Sequence, residues 1–168
     1  MQHVTLNRIL VPLDFSDPAR SALAYAAGLG RTFDAELVLL YVAEPPPFAP
    51  DLSDSHGYEE KIAARGREHL QAVTQEYLDK GVKTRAVVRF GRPAAEIVAA
   101  ARDERVDLII MATHGRSALK HLVGSVTEKV VRLATRPVLV THYGRNEVPV
   151  EASAGQATAN WPGQSAPA

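Results

Sequence analysis

Residues 107–140 read DLIIMATHGRSALKHLVGSVTEKVVRLATRPVLV, and this stretch decides the fold. It opens with a short apolar run, Leu108 to Met111. The run is continuous rather than amphipathic and reads as a buried strand. A loop carrying Gly115 and Gly124 follows. Ser125-Val126-Thr127-Glu128 then has the S-x-x-E spacing of a capping box, so Ser125 is expected to cap a helix that begins near Val126 and includes Val130 and Leu133. Pro137 leads a second apolar run, Val138 to Thr141. Strand, glycine loop, helix, strand is one crossover of a parallel sheet. A helix starting behind a glycine loop also turns backbone N–H groups and the positive end of its dipole towards any anion placed there.

Working outward, Arg8 to Leu13 (RILVPL) and Glu36 to Ala43 are further buried strands, being short, continuous and apolar. Asp17-Pro18 supplies an N-cap and a proline for the helix between them. Leu23, Ala26, Ala27 and Gly30 mark that helix's buried stripe. Glu44 to Gly57, EPPPFAPDLSDSHG, is too rich in proline and acid for regular structure. A long helix is expected from Tyr58 to Lys80, with Leu70, Val73 and Tyr77 at helical spacing and Gly81 as its stop. In Val82 to Phe90, Thr84, Ala86, Val88 and Phe90 alternate with Lys83, Arg85 and Arg89, the pattern of an edge strand with one wet, charged face. Gly91-Arg92-Pro93 turns into a helix with Ile97, Val98 and Ala101 on its stripe. From Asn146 onward Ala, Gly, Ser, Pro and Gln dominate, so 1–145 reads as one domain and 146–168 as a disordered tail.

Five strands alternating with four helices make an α/β fold with a doubly wound, five-stranded parallel sheet. The charged third strand and the proline-led fifth belong at the edges, which gives the order 3-2-1-4-5. The winding reverses between strands 1 and 4, and ligands bind beyond the strand ends at such a reversal. The segments exposed there are Pro12 to Ser16 and Thr113 to Gly124.

Composition narrows the function. Lys plus Arg (19) equals Asp plus Glu (19), so no overall field recruits nucleic acid or anionic lipid. The absence of cysteine excludes disulfides, thiolate catalysis and sulfur-bound metal. No apolar run approaches the roughly 20 residues of a membrane span, and residues 1–10 lack the pattern of a secretory signal, so a cytoplasmic location is expected. The six histidines show no ligand spacing, and no metal site is expected. Gly28-Leu29-Gly30 lacks the third glycine of a dinucleotide fingerprint and reads instead as a helix stop. Gly115 and Lys120 lack the remainder of a Walker A loop. No spacing demands a nucleophile–base pair, so no catalytic residue is assigned.

Local chemistry at the reversal allows two readings of each residue. Ser125 caps the helix, and with Thr127 it offers hydroxyl donors to an anion. Arg116, Lys120 and His121 form either a solvated basic loop or a local positive potential. Asp14 either closes an Asx turn or accepts hydrogen bonds from a ribose hydroxyl.

RILVPLDFSDPARSALAYA, LVLLYV, FGRPAAEIVAAA and DLIIMATHGRS…GSVTEKVVRLATRPVLV together resemble the universal stress protein family, over about Asn7 to Thr141. The resemblance implies a flavodoxin-like three-layer sandwich and a homodimer joined through its fifth strands. It further implies binding of ATP, ADP or AMP, with Mg2+ as the ion accompanying the phosphates, in stress response or signalling. Carried over by position, Pro12, Leu13 and Asp14 lie on the adenosine side and Val42 near the base. Met111, Ala112, Gly115, Gly124, Ser125, Val126 and Thr127 line the ribose and phosphate path. The family's nucleotide-binding branch has G-x2-G-x9-G-[S/T] after its fourth strand. Here Ala112 replaces the first glycine, and residues 116–123 make the second interval one residue short. That removes up to about 3.5 Å of chain reach. The alternative reading is therefore a dimeric interaction module without nucleotide binding. Slow ATP hydrolysis or autophosphorylation on Ser125 or Thr127 ranks third.

Overall fold

The computed structural model describes residues 5–44, 55–113 and 124–142. Its elements are β1 (Arg8–Pro12), α1 (Asp17–Phe33), β2 (Glu36–Ala43), α2 (Ser55–Asp79), β3 (Thr84–Phe90), α3 (Pro93–Asp103), β4 (Leu108–Ala112), α4 (Ser125–Leu133) and β5 (Val138–Thr141). The five strands form one parallel sheet in the order β3-β2-β1-β4-β5, as the crossover pattern requires. Among the described residues no helix is long and apolar enough to cross a membrane.

The two faces of the sheet explain why the inner strands are apolar throughout. Side chains alternate across a strand. Ile9, Val11, Leu37, Leu39 and Ile110 therefore pack on one face with the small stripe of α1 (Ala19, Ala22, Leu23, Ala26, Ala27) and with Leu70 and Val73 of α2. Leu10, Val38, Leu40, Ile109 and Met111 pack on the other face with Ala94, Ile97, Ala100 and Ala101 of α3 and Val130 of α4. Each of the fully buried Leu and Ile side chains contributes about 1.5–3 kcal/mol relative to exposure.

Several local expectations are corrected. The cap of α1 is Ser16, whose Oγ accepts from the Ala19 N–H, and Asp17 already belongs to the first turn. The helix does not stop at Gly28 or Gly30 but runs to Phe33 and ends on Asp34 in the left-handed region, with φ 55°. Gly30 is there for packing, because a Cβ would lie 3.3 Å from the Ala35 carbonyl oxygen and from Leu37 Cδ2. Helix α2 begins at Ser55, so the end of the 44–57 segment is helical, whereas 45–54 lie outside the described residues. Gly81, with φ 73°, does stop α2. The charged face of β3 is half-buried and ion-paired: Arg85 pairs with Glu36 and Glu104, and Arg89 with Glu96 and Asp103 of α3. The expected tail, 146–168, lies outside the described residues.

Candidate functional site

The hydrogen-bond registers show where the ladder between the two central strands ends at the reversal. The β1–β2 ladder runs up to Pro12 opposite Leu40, and the Leu13 N–H continues it to the Leu40 carbonyl at 2.8 Å. The β4–β5 ladder runs up to Ala112 opposite Thr141. Between them, β1 and β4 pair only at Ile9–Leu108 and Leu10–Ile109. The two central strands thus continue beyond their shared ladder, each held by its outer neighbour. Met111 and Ala112 form the buried end of the β4 wall, at 5% and 8% exposure. Pro12 and Asp14 are half-buried beyond β1, and Leu13 is buried in the α1 side of the core. Val42 is half-buried one strand outward, two residues past the Leu40 that faces Pro12.

The β1 wall ends in a rigid turn. Asp14 Oδ1 accepts from the Ser16 N–H at 3.0 Å and from the Ser16 hydroxyl at 2.6 Å, so the Asx turn is present. Ser16 caps α1 with the same hydroxyl oxygen. Phe15 sits between them at φ 62°, a conformation uncommon for a bulky residue. Its buried ring is held by Tyr41 (5.2 Å between centroids) and edge-on by His69 (5.5 Å). The strained backbone is thereby fixed by packing, and the Asp14 carboxylate has a defined orientation.

The β4 wall is continued by the head of α4. The expected capping box is not formed. Gly124 is the N-cap, with φ −60° and ψ 146°, and Ser125 is already helical. The physical cause is a backbone tie: the Gly124 N–H donates to the Thr113 carbonyl at 2.7 Å, which fixes the last extended residue one position earlier. The Ser125 side chain is left exposed and makes no cap. Glu128 N–H donates back to the Gly124 carbonyl at 3.0 Å, closing the first turn. The N–H groups of Ser125, Val126 and Thr127 are those that an α-helix leaves unsatisfied, and among the described residues no acceptor meets them. Thr127 departs from its expected role as a donor to an anion. It is buried, and its Oγ1 donates to the Ala112 carbonyl at 2.9 Å. Of the two hydroxyls considered for phosphorylation, only that of Ser125 is exposed.

The structure thus brings Pro12, Leu13 and Asp14 to one wall and Met111, Ala112, Gly124, Ser125, Val126 and Thr127 to the other. Gly115, together with Arg116, Lys120 and His121, lies outside the described residues. Sequence reasoning missed Ser16 and Thr113. Ser16 was signalled by the D-x-S spacing, since an Asp side chain commonly bonds two residues ahead. Thr113 acts through a backbone carbonyl, which no residue type announces.

Comparison with known proteins agrees with this frame. The universal stress protein family matches residues 5–142. Universal stress protein MJ0531 of Methanocaldococcus jannaschii is 35% identical over 144 residues, covering 84% of this chain and 85% of that protein. The solved structure of MJ0577, from the same organism, superposes with a TM-score of 0.76 at 32% identity, over 85% of this chain and 100% of that one. A universal stress protein of Archaeoglobus fulgidus solved in complex with dAMP shares the fold, with a TM-score of 0.57 at 19% identity, over 82% of this chain and 98% of that one. By sequence and by fold, the chain belongs to the universal stress protein family.

Proposed function

We propose that this protein binds ATP, or ADP or AMP, in the parting between β1 and β4. In this reading Asp14 receives the ribose hydroxyls, Pro12, Leu13 and Val42 border the adenosine, and Met111 and Ala112 form the far wall. The phosphates, with Mg2+ accompanying them, meet Gly124 and the N–H groups of Ser125, Val126 and Thr127. Gly115 joins them by position in the family pattern. The observation that carries the reading is the pairing of two features. The central ladder ends at Leu10–Ile109, and the helix head beside it presents three N–H groups with no acceptor among the described residues. The dAMP complex of a fold relative supports the ligand class.

The protein then acts as a nucleotide-responsive module in cytoplasmic stress response or signalling, as a dimer. The dimer would use β5, an edge strand paired only with β4 among the described residues. Ligand binding alters a partner's behaviour only insofar as two conformations differ in affinity for it. The second reading, an interaction module without nucleotide, is favoured by Ala112 and by the eight-residue interval 116–123.

Equilibrium titration with ATP decides between them. Saturation below millimolar ATP is expected for the natural sequence. Asp14→Asn keeps the acceptor that Ser16 requires while replacing the second carboxylate oxygen with a donor. It should weaken adenosine and ATP alike, by about tenfold for one charge-assisted hydrogen bond. No saturation up to millimolar ATP would support the second reading.

A further inference from the structure

The hydroxyl of Thr127 meets β4 on a side that has a consequence for the phosphates. The Ala112 carbonyl and the Thr113 N–H belong to one trans peptide, so they point to opposite sides of the strand within the sheet. The Thr113 N–H donates to the Thr141 carbonyl on β5 at 2.9 Å. The Ala112 carbonyl therefore points towards β1, at a level where the β1–β4 ladder has already ended. There it accepts the Thr127 hydroxyl at 2.9 Å. Thr127 is the third residue of α4 and 4% exposed, so the helix reaches back to the strand end with a buried side chain. The Gly124 N–H to the Thr113 carbonyl is a second tie, one turn away on the same helix. One tie fixes where the helix head sits. Two ties, at the cap and at the third residue, also fix its rotation, and hence the direction of the N–H groups of Ser125, Val126 and Thr127.

We propose that Thr127 is the positioning residue of the phosphate site. Anchored on the Ala112 carbonyl, it aims the first-turn N–H groups of α4 and so sets how strongly phosphates add to the affinity of the nucleoside. The inference rests on the nucleotide reading above, and it concerns only the phosphate half of that site. Asp14, Pro12 and Val42 belong to β1 and β2 and do not depend on the Thr127 tie.

The test is binding of ATP and adenosine to the full-length protein and to Thr127→Val, Thr127→Ala and Thr127→Ser. Valine matches the shape of threonine but leaves the Ala112 carbonyl without its donor, and serine keeps the hydroxyl. The ratio of ATP to adenosine affinity should fall about tenfold in the valine and alanine variants, the scale of one charge-assisted hydrogen bond lost between the phosphates and a helix head no longer held in place. Adenosine affinity and the serine variant should be unaffected. A purely structural role would lower both affinities together and leave the ratio unchanged, which overturns the proposal. Loss of the ratio in Thr127→Ser as well as in Thr127→Val overturns it too. If the valine variant does not fold, Thr127→Ala carries the comparison. Absence of saturable ATP and adenosine binding in the natural sequence overturns the nucleotide reading and this inference together, whereas nucleotide binding with an unchanged ratio in the variants overturns this inference alone.

Discussion

Gly124→Asp should move stability and ATP affinity in opposite directions. Position 124 is the N-cap of α4, and its φ of −60° and ψ of 146° suit any L-residue. Glycine makes no side-chain cap there. Aspartate accepts from the second or third N–H of a helix and places a negative charge at the positive end of the dipole. Together these contribute about 0.5–1 kcal/mol, seen as a rise of roughly 1–4 °C in the unfolding midpoint. The same carboxylate occupies N–H groups that the phosphates need. It also opposes them: unit charges about 4 Å apart repel by ~4 kcal/mol at an effective dielectric of about 20, and less at this partly solvated position. ATP affinity should therefore fall at least tenfold, about 1.4 kcal/mol, while adenosine affinity is unchanged. Gly124→Asn separates the terms, because asparagine caps without charge and should show a smaller loss. Thermal unfolding and titration calorimetry on the same samples give both readouts. A folded Gly124→Asp protein that binds ATP as the natural sequence does would refute the placement of phosphate at this helix head.

Two further predictions probe the scaffold. Gly66, buried in α2, lies against the Tyr41 ring, and a Cβ there would drive into it; Gly66→Ala should cost about 1–3 kcal/mol despite alanine's better helix propensity, and an unchanged denaturant midpoint would disprove that close approach. Burial, followed by the charge of Glu76, raises the Tyr77 hydroxyl pKa to about 12. A raised acid pKa means that its stabilising contribution is complete below about pH 10 and is lost as pH climbs towards 12, by at most about 1.4 kcal/mol per pH unit. Tyr77→Phe should flatten that part of the stability–pH profile, and parallel profiles for the two proteins would contradict the assignment.

The fold was legible because its strongest signals are redundant. Leu37 to Leu40 and Ile109 to Met111 are apolar at every position, which only a sheet covered on both faces requires. Lys83, Arg85 and Arg89 on one strand, and Pro137 before another, left only the edges for those strands. Helix termini were less legible, because side-chain type competes with tertiary ties. Ser125 has every local reason to cap α4, yet the Thr113 carbonyl captures Gly124 and moves the cap back by one residue. Asp17 likewise gave way to Ser16, which Asp14 had already oriented. At the candidate site the residue types carried the position of Asp14 and the glycine-serine pair. They did not carry the tie made by Thr127, since its partner is a backbone carbonyl left without a strand partner where the β1–β4 ladder ends.

The most direct measurement is a titration of the 15N-labelled protein with ATP and, separately, adenosine, followed by amide chemical shifts. Saturable shifts are expected at Ser125, Val126 and Thr127 with ATP and not with adenosine, while both ligands shift Asp14 and Val42. Saturable ATP binding that leaves the first turn of α4 unmoved, or no saturable shift up to millimolar ATP, would contradict this placement of the nucleotide.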